Sequence, residues 1–348
     1  MRIRDLSIRN ALPVQYFSVE NLADVVVMAG PNGVGKTRLL ERLVNHLRNL
    51  NPDPNVEGVI EATAPEERAP WGKSTLDLAS PSDMALFRTT LTQSRRRQQW
   101  RSSLVNFESD RTVTTIQPLQ FSWDMVDPNE EQIGWETTFG YMRDRFQDTL
   151  HSMFRMIEAQ KQGYGTRAIE LGRQGFASMN LNYTDVMEPF KEVFTLLLGP
   201  KELVDPSARL QQLQYRMGDE IFPLQSLSSG EREVVNIAFG FLLRRPSDCI
   251  VLFDEPELHL HPELSHRLTQ ALQRIGARNQ FFLSTHSPDV ITAAIDQSVI
   301  FIAPPHTSAD GEPANQAIPV DRAPLIGPPV VRLDHRCPSS TGGRTPPA

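Results

Sequence analysis

Cysteine is scarce in this sequence, and so are long apolar runs. The 348 residues include only two cysteines, Cys249 and Cys337, which excludes a disulfide-stapled scaffold and a zinc site built from several thiolates. No apolar stretch approaches the roughly 20 residues that span a bilayer, and the start of the chain lacks the apolar core of a signal peptide. We therefore expect a cytoplasmic protein without a membrane partner.

Positive charge is also in short supply. Lys and Arg total 35 against 42 Asp and Glu, which gives a formal net charge of −7. This balance excludes a protein that coats nucleic acid by bulk charge, although a local basic patch is compatible with it. With 39% hydrophobic and 22% charged residues, the composition is that of a globular chain with a substantial core.

The order of apolar periods predicts an α/β fold with a mixed sheet. Two N-terminal strands flank a turn at Pro13, and residues 23–29 form a β-branched apolar run typical of a buried parallel strand. From Leu227 to Ile302, apolar helices and short buried strands alternate, which indicates a parallel sheet. We predict a core over 1–50 and 205–302, a mostly helical insertion over 51–204, and a proline-rich, poorly ordered tail over 303–348.

A glycine-rich loop follows the buried strand and opens a helix. It fits the phosphate-binding pattern G-x-x-x-x-G-K-[ST] with Gly30, Pro31, Asn32, Gly33, Val34, Gly35, Lys36 and Thr37. Glycines let successive backbone N–H groups turn toward phosphate oxygens, and the helix N-terminus adds positive potential. Lys36 is placed to reach the terminal phosphates, and the Thr37 hydroxyl is suited to bind Mg²⁺. The loop therefore predicts a nucleoside triphosphate site.

Two acidic residues end a second apolar strand. Asp254 and Glu255 directly follow residues 250–253. Ligands of open α/β sheets bind at the carboxyl ends of the strands, so both carboxylates are expected at the phosphate site. Asp254 is predicted to hold Mg²⁺ together with Thr37, and Glu255 is predicted to orient and deprotonate the attacking water. The alternative, a solvated strand end before a turn at Pro256, is less favoured beside a phosphate loop.

Two further segments complete the set. Ser228, Ser229 and Gly230 open an apolar helix, and their structural interpretation is an N-cap. Their functional interpretation is a second helix N-terminus that offers Ser228 and backbone N–H groups to a phosphate. His286 follows another strand and is a candidate to contact the γ-phosphate or the water, although a lone histidine in that place usually has no function.

The four motifs, in this order, resemble those of ATP-binding cassette ATPases. Ser-Ser-Gly-Glu from 228, Glu-Leu-His-Leu-His-Pro from 257 and Ser-Thr-His-Ser-Pro from 284 are similar to the branch that includes OLD-family ATPases, RecF-like proteins and phage-defence ATPases. The resemblance covers roughly half of the chain. It implies a P-loop NTPase fold of the cassette type, with ATP and Mg²⁺ bound and ATP hydrolysed by Lys36, Glu255 and His286.

The resemblance also implies an assembly. In a homodimer, or a higher oligomer, the Lys36 loop of one protomer would face Ser228–Gly230 of its twin across a two-fold contact, with His261 near the interface. The branch implies a sensor or motor in phage defence or DNA repair that works with a separate effector, a nuclease or a toxin. An OLD nuclease would continue into a Toprim domain, which we do not expect after Ile302.

Some assignments stay open. Gln117 is the preferred candidate for the family's glutamine-loop residue that contacts the nucleotide, with Gln120 as the alternative. The basic cluster over 95–101 is compatible with a solvated helix face, with an acidic partner or with DNA, and the solvated face is favoured.

Three competing interpretations concern metal binding and function. His259, His261 and His266 offer a metal site that lacks a clear fourth ligand. A transporter ATPase subunit would carry a surface groove for a helix of its membrane partner. A clamp would close on ATP and hydrolyse little of it.

Overall fold

The computed structural model describes most of the chain. The described residues are 1–49, 53–94, 101–107, 109, 142–175, 185–205, 212–293 and 297–303, with the short strands 306–307, 313–314 and 317–319. The strands are β1 (Arg2–Ala11), β2 (Val14–Val19), β3 (Val25–Ala29), β4 (Val56–Glu61), β5 (Thr75–Asp77), β6 (Leu104–Phe107), β7 (Glu202–Val204), β8 (Gln214–Met217), β9 (Glu220–Pro223), β10 (Ile250–Asp254), β11 (Gln280–Thr285), β12 (Ser298–Ile302), β13 (His306–Thr307), β14 (Pro313–Ala314) and β15 (Ala317–Pro319). The helices are α1 (Lys36–Arg48), α2 (Pro65–Trp71), α3 (Pro81–Ser94), α4 (Met142–Arg173), α5 (Glu188–Leu198), α6 (Ser229–Arg244), α7 (Pro262–Ile275) and α8 (Pro288–Ala293). In the described part of the chain, no helix combines the length and apolar character needed to cross a bilayer.

A six-stranded sheet in the order β15-β12-β3-β11-β10-β6 forms the centre of the fold. All of its neighbours pair in parallel except β15, which pairs antiparallel with β12. Every residue of β3 and β10 is buried, as expected for parallel strands covered on both faces. Because β11 lies between β3 and β10, the phosphate loop and the acidic pair emerge at the same sheet edge.

Alternate residues of β3 pack into two separate hydrophobic clusters. Val25 and Val27 join a cluster with residues of α4, α5, α6 and α7, whereas Val26 and Met28 join one with α1 and the N-terminal strands. This alternation is the two-residue period of a strand with both faces covered. The central sheet is thus held between a helical layer and a second sheet.

The second sheet is antiparallel, in the order β2-β1-β4-β5. Its first hairpin turns at Pro13 as predicted, with Ala11 opposite Val14. An irregularity in the β1–β4 register between Ile3 and Asp5 lets Ile3 and Leu6, three residues apart, both be buried. The predicted fold class, α/β with a mixed sheet and N-terminal antiparallel strands, is confirmed.

The range 51–204, predicted as a mostly helical insertion, includes the helices α2 to α5 in its described residues but also strands that join the two sheets. Strands β4 and β5 belong to the N-terminal sheet, and β6 forms an edge of the central sheet beside β10. β4 has six residues but no clean alternation of buried and exposed positions, and β5 and β6 have only three and four residues, too few for an alternating period to distinguish them from loops. Only part of this range, including α4 and α5, forms the helical layer that packs on α6.

The tail also differs from its prediction as a poorly ordered segment from residue 303. Within it, β15 adds a strand to the central sheet, with Ala317 opposite Ile302 and Pro319 opposite Ile300. A strand of three residues is too short to show a period in the sequence, which is why the sequence does not predict it. Its proline is tolerated because β15 is an edge strand. Residues 320–348 lie outside the described part.

Candidate functional site

The glycine-rich loop joins β3 to α1 in a conformation that requires glycine. Gly35 has a φ of 103°, in the left-handed region that other residues avoid. A Cβ atom there would lie 2.9 Å from Cδ of Pro13 and 3.0 Å from Cγ2 of Val14. The β1–β2 turn therefore packs directly against the loop, and the loop backbone is fixed by tertiary contact as well as by its own sequence.

Lys36 folds back over the loop that precedes it. Its Nζ donates hydrogen bonds to the carbonyl oxygens of Gly30, at 2.9 Å, and of Pro31, at 3.1 Å. The residue is only 4% exposed, and this burial lowers the pKa of the Lys36 ammonium, although the charges of Glu255, Glu257 and Asp254 oppose the shift. The ammonium is thus placed among carboxylates, with backbone acceptors that a phosphate oxygen is able to replace.

Thr37, in the first turn of α1, and Asp254, the last residue of β10, meet at the carboxyl ends of the central strands. The Thr37 hydroxyl lies 3.2 Å from Oδ1 of Asp254. Ser284, the penultimate residue of β11, lies directly opposite Asp254 in the parallel register, and its hydroxyl donates to the same oxygen. The neighbouring strand therefore orients the carboxylate that faces Thr37.

This pair of oxygens fits a magnesium ion. Mg²⁺ prefers hard oxygen ligands at about 2.1 Å in octahedral geometry, which separates two adjacent ligand oxygens by about 3.0 Å. The observed 3.2 Å between Thr37 Oγ1 and Asp254 Oδ1 is close to that value. No group of three or more His, Cys, Asp or Glu residues suited to a metal occurs among the residues that the structure describes. In phosphate sites Mg²⁺ usually completes its shell with phosphate oxygens and water, so two protein oxygens are compatible with it.

Glu255 and His286 face each other across the ends of β10 and β11. The backbone N–H of Glu255 donates to the Ser284 carbonyl at 3.0 Å, with Glu255 at a left-handed φ of 45°. Nδ1 of His286 lies 3.8 Å from Oε1 of Glu255. We refer to Lys36, Thr37, Asp254, Glu255 and His286 as the phosphate-loop cluster; the structure brings these five predicted residues together.

Sequence reasoning missed two residues of this neighbourhood, Ser284 and Glu257. Ser284 orients Asp254, and Glu257 contacts the turn that carries His286. Both stand inside motifs that the sequence makes visible, but only the pairing of β10 with β11 shows which partner each one meets. Position along a motif does not reveal long-range hydrogen bonds.

Residues Ser228–Gly230, here called the signature segment, begin α6 and form a regular helix cap. The Ser228 hydroxyl accepts a hydrogen bond from the Glu231 N–H at 3.3 Å, and the Glu231 carboxylate accepts one from the Ser228 N–H at 3.0 Å. A Cβ on Gly230 would lie 3.3 Å from the His259 carbonyl oxygen and 3.2 Å from Cδ2 of Leu260. In the described part of the chain, the Ser228 side chain thus contacts Glu231 and not the phosphate-loop cluster.

Glu231 is held ionised at this cap. Burial alone would raise the pKa of the Glu231 carboxyl. Hydrogen bonds from Lys201, whose Nζ lies 2.6 Å from Oε1, and from Ser228 outweigh it, so that the pKa is lowered. The negative charge at the N-terminus of α6 also interacts favourably with the helix dipole.

The remaining site predictions have different outcomes. Gln117, Gln120 and residues 95–100 lie outside the described residues, so their roles stay predictions. The three histidines form no metal cluster within the described chain, and Nε2 of His266 contacts the Gln270 side chain at 2.8 Å. His261 begins α7 as its N-cap residue, without a side-chain capping bond.

A family model described as "AAA domain, putative AbiEii toxin, Type IV TA system" matches residues 162–292. The match spans the signature segment, the acidic strand and His286, but not the glycine-rich loop. It covers less than half of the chain.

Two curated proteins match parts of the sequence. "Retron Vc95 probable ATPase" of Vibrio cholerae is 32% identical over 110 residues, which are 28% of this chain and 21% of that protein. "Septu protein PtuA" of Bacillus mycoides is 23% identical over 128 residues, 35% of this chain and 18% of that protein. The matched stretch thus spans about a fifth of the length of each relative. With the family model, these matches confirm the resemblance to P-loop ATPases of the AAA type.

Among solved structures, the SMC head domain from Thermotoga maritima superposes with a TM-score of 0.47 at 15% identity. The superposition covers 92% of this chain and 100% of that domain. The fold class of the present chain rests on its own strand order and on the placement of the glycine-rich loop after β3.

Proposed function

We propose that this chain binds ATP together with Mg²⁺ and hydrolyses it. The observation that carries the proposal is the meeting of Thr37 and Asp254, 3.2 Å apart, at the strand ends that also carry the buried Lys36 and the pair Glu255 and His286. Residues that lie 217 positions apart in sequence come together in the chemistry that a triphosphate and its metal require. The P-loop ATPase relatives support the same activity.

Each residue of the phosphate-loop cluster has a distinct task in this proposal. Lys36 exchanges its two backbone carbonyls for phosphate oxygens, and the loop N–H groups bind the same phosphates. Thr37 and Asp254 would hold the ion, and when bound Mg²⁺ draws off negative charge from the phosphates. Glu255 orients a water molecule and accepts its proton, while His286 approaches the γ-phosphate.

We further propose a nucleotide-sandwich homodimer in which the signature segment of one protomer meets the phosphate loop of its twin. The signature segment is the start of a 16-residue helix, and its backbone N–H groups at Ser229 and Gly230 suit an anion. Within one chain it packs on His259 and Leu260 and contacts Glu231. A second copy would supply the phosphate that the segment is suited to bind.

The biological setting that we propose is phage defence or DNA repair, in the cytoplasm, as the ATP-driven sensor or motor of a system with a separate effector. The motif resemblance points to this branch, and the likeness to a retron ATPase and to a Septu protein supports it. DNA binding by this chain stays an open part of the proposal.

A steady-state ATPase assay with the full chain tests the activity. We expect turnover that requires Mg²⁺ and that Lys36→Ala abolishes, because the loop then lacks its only side-chain cation. Lys161→Ala is the matched control, since Lys161 lies half exposed on α4 beside Glu158. Equal turnover of Lys36→Ala and wild type would refute the site, and ATP binding with negligible turnover in the wild type would indicate a clamp.

A groove on the helical face favours a second candidate, the ATPase subunit of a transporter. The groove, of about 850 Å³, runs between α5, α6 and α7, and its apolar floor includes Val193, Leu196 and Leu242. A helix of a membrane partner would fit such a surface. Copurification of one defined membrane protein that Leu196→Glu releases would favour this candidate over the defence setting.

A further inference from the structure

Glu257 lies beside the phosphate-loop cluster, and one of its carboxylate oxygens accepts three hydrogen bonds. Its Oε1 accepts hydrogen bonds from the Thr285 hydroxyl at 2.5 Å, from the His286 N–H at 2.9 Å and from the Ser287 N–H at 3.2 Å. The residue is 9% exposed. One oxygen of a buried side chain thus binds three consecutive residues, the last of β11 and the two that follow it, to the loop after β10.

The same oxygen also lies nearest to the ring of His286. Nδ1 of His286 is 3.3 Å from Oε1 of Glu257, compared with 3.8 Å from Oε1 of Glu255. A ring that directs Nδ1 toward Glu257 presents Nε2 on its far side. The backbone and the ring of His286 therefore both face one carboxylate, which fixes where the ring lies.

The second oxygen of Glu257 makes this arrangement unusual. Oε2 is buried and has no hydrogen-bond partner among the described residues. A buried carboxylate oxygen without a partner is costly to the fold, so pure stability does not explain a glutamate here. The cost is understandable when the anion is needed to hold the donors of the Thr285–Ser287 turn.

We propose that Glu257 is a positioning residue for hydrolysis: it holds the Thr285–Ser287 turn, and through it His286, against the γ-phosphate side of the site. The inference rests on the proposed ATPase function and adds to it a division of labour between two carboxylates. Glu257 binds the histidine turn, which leaves the carboxylate of Glu255 to act on the water. In this proposal Glu257 acts through the residues that it holds and is not a ligand of substrate or metal.

Amide hydrogen exchange on the nucleotide-free protein tests the holding role without any catalysis. In Glu257→Ala, the His286 amide loses its acceptor, and we expect its exchange to become about tenfold faster or more. The Ser287 amide also donates to the Thr285 hydroxyl at 2.9 Å, so its exchange should change less. Glu257→Gln keeps an oxygen acceptor and should retain most of the protection. Glu202→Gln, an exposed carboxylate in β7, is the control. Unchanged exchange at residues 286 and 287 in Glu257→Ala would overturn the proposal.

ATPase kinetics test the route through His286. We expect Glu257→Ala to lower kcat by about tenfold or more with KM within about twofold, and Glu257→Gln to recover part of kcat. Glu257→Ala placed in a His286→Ala background should cause little further loss, because both changes remove the same function. If the fold-losses in kcat of the two single variants multiplied in the double variant, the two residues would act independently and the proposal would be overturned.

A further variant keeps the test informative should Glu257→Ala not fold. Thr285→Val preserves side-chain volume but removes the hydroxyl that donates to Glu257 at 2.5 Å and accepts from the Ser287 N–H at 2.9 Å. It should show a smaller loss of kcat in the same direction. An unchanged kcat in both Thr285→Val and Glu257→Gln, with wild-type exchange at residue 286, would contradict the inference. Absence of turnover in the wild type refutes the ATPase proposal instead, and the exchange result then stands by itself.

Discussion

The phosphate-loop cluster and the signature segment satisfy their polar groups in different ways. In the cluster, the Lys36 ammonium is buried against two backbone carbonyls, and three carboxylates act on it from further away. In the signature segment, Ser228 and Glu231 bond to each other and Lys201 neutralises the carboxylate. In the cluster, phosphate oxygens are able to replace the backbone carbonyls that Lys36 contacts. In the signature segment, the reciprocal bonds of Ser228 and Glu231 already form a complete helix cap.

This difference distinguishes a site that a single protomer already contains from a binding role that we propose only for a dimer. Parallel pairing of β3, β11 and β10 places the glycine-rich loop and the start of α1 beside Asp254 and Glu255, so the cluster is present in a single protomer. The signature segment has a visible stabilising role within the chain, and its proposed binding role needs a second copy. The experiments below test that separation, in order of decreasing effect.

Mixing two inactive variants gives the largest effect. We expect Lys36→Ala and Ser228→Arg each to lack ATPase activity alone, because each removes one half of every composite site. Random pairing makes about half of the dimers mixed, and each of these keeps one intact site of two, so an equimolar mixture should regain about a quarter of wild-type turnover. The measurement is steady-state ATPase after the dimers exchange subunits. A mixture that stays inactive would place both regions in one protomer.

Substitution of the proposed base isolates chemistry from binding. Glu255→Gln should lower kcat by about 10²- to 10³-fold, because an amide does not accept the proton of water, while ATP affinity stays near the wild-type value. Single-turnover kinetics and equilibrium binding of a fluorescent ATP analogue measure the two quantities. Glu220→Gln, which lies on the surface hairpin β8–β9, is the control. A parallel loss of ATP affinity would mean that Glu255 acts in binding.

The glycine loop allows a comparison of strain with steric overlap. Gly35→Ala combines a left-handed φ of 103° with a Cβ 2.9 Å from Pro13, and we expect a loss of about 2–3 kcal/mol in the free energy of unfolding. Gly33→Ala has a φ of 82° but no neighbour within 4 Å, so only about 1 kcal/mol is expected. Urea denaturation measures both. Equal losses in the free energy of unfolding would show that Pro13 shifts to make room for the new Cβ without destabilising the fold.

The cap gives the smallest effect, and it depends on pH. Since the folded-state pKa of Glu231 is lowered, its stabilising contribution is fully present above the unfolded-state pKa and is lost as pH falls through the folded value. Glu231→Gln should therefore cost about 1 kcal/mol at pH 7 and less at pH 3. Urea unfolding at both values measures this, with Glu202→Gln as control. A difference that does not shrink at low pH would contradict the charge argument.

The phosphate-loop cluster could be predicted because each of its residues closes or follows a strongly apolar strand. β3, β10 and β11 are buried along their whole length, so their runs stand out, and parallel pairing brings their ends together. Glu257 could not be assigned in the same way, because its partners Thr285 and Ser287 lie 28 and 30 residues away. The short strands β6 and β15 have too few residues to produce a period.

Strand β15 has a consequence for how the chain behaves in solution. Its antiparallel pairing covers the backbone groups of Ile300, Phe301 and Ile302, which would otherwise form an open sheet edge. Unpaired edge strands of buried, apolar sheets recruit other chains and aggregate. A fragment cut at residue 302 would preserve every motif of the site but leave β12 as an unpaired edge strand that is prone to aggregate. Expression trials should therefore keep the segment through Pro319.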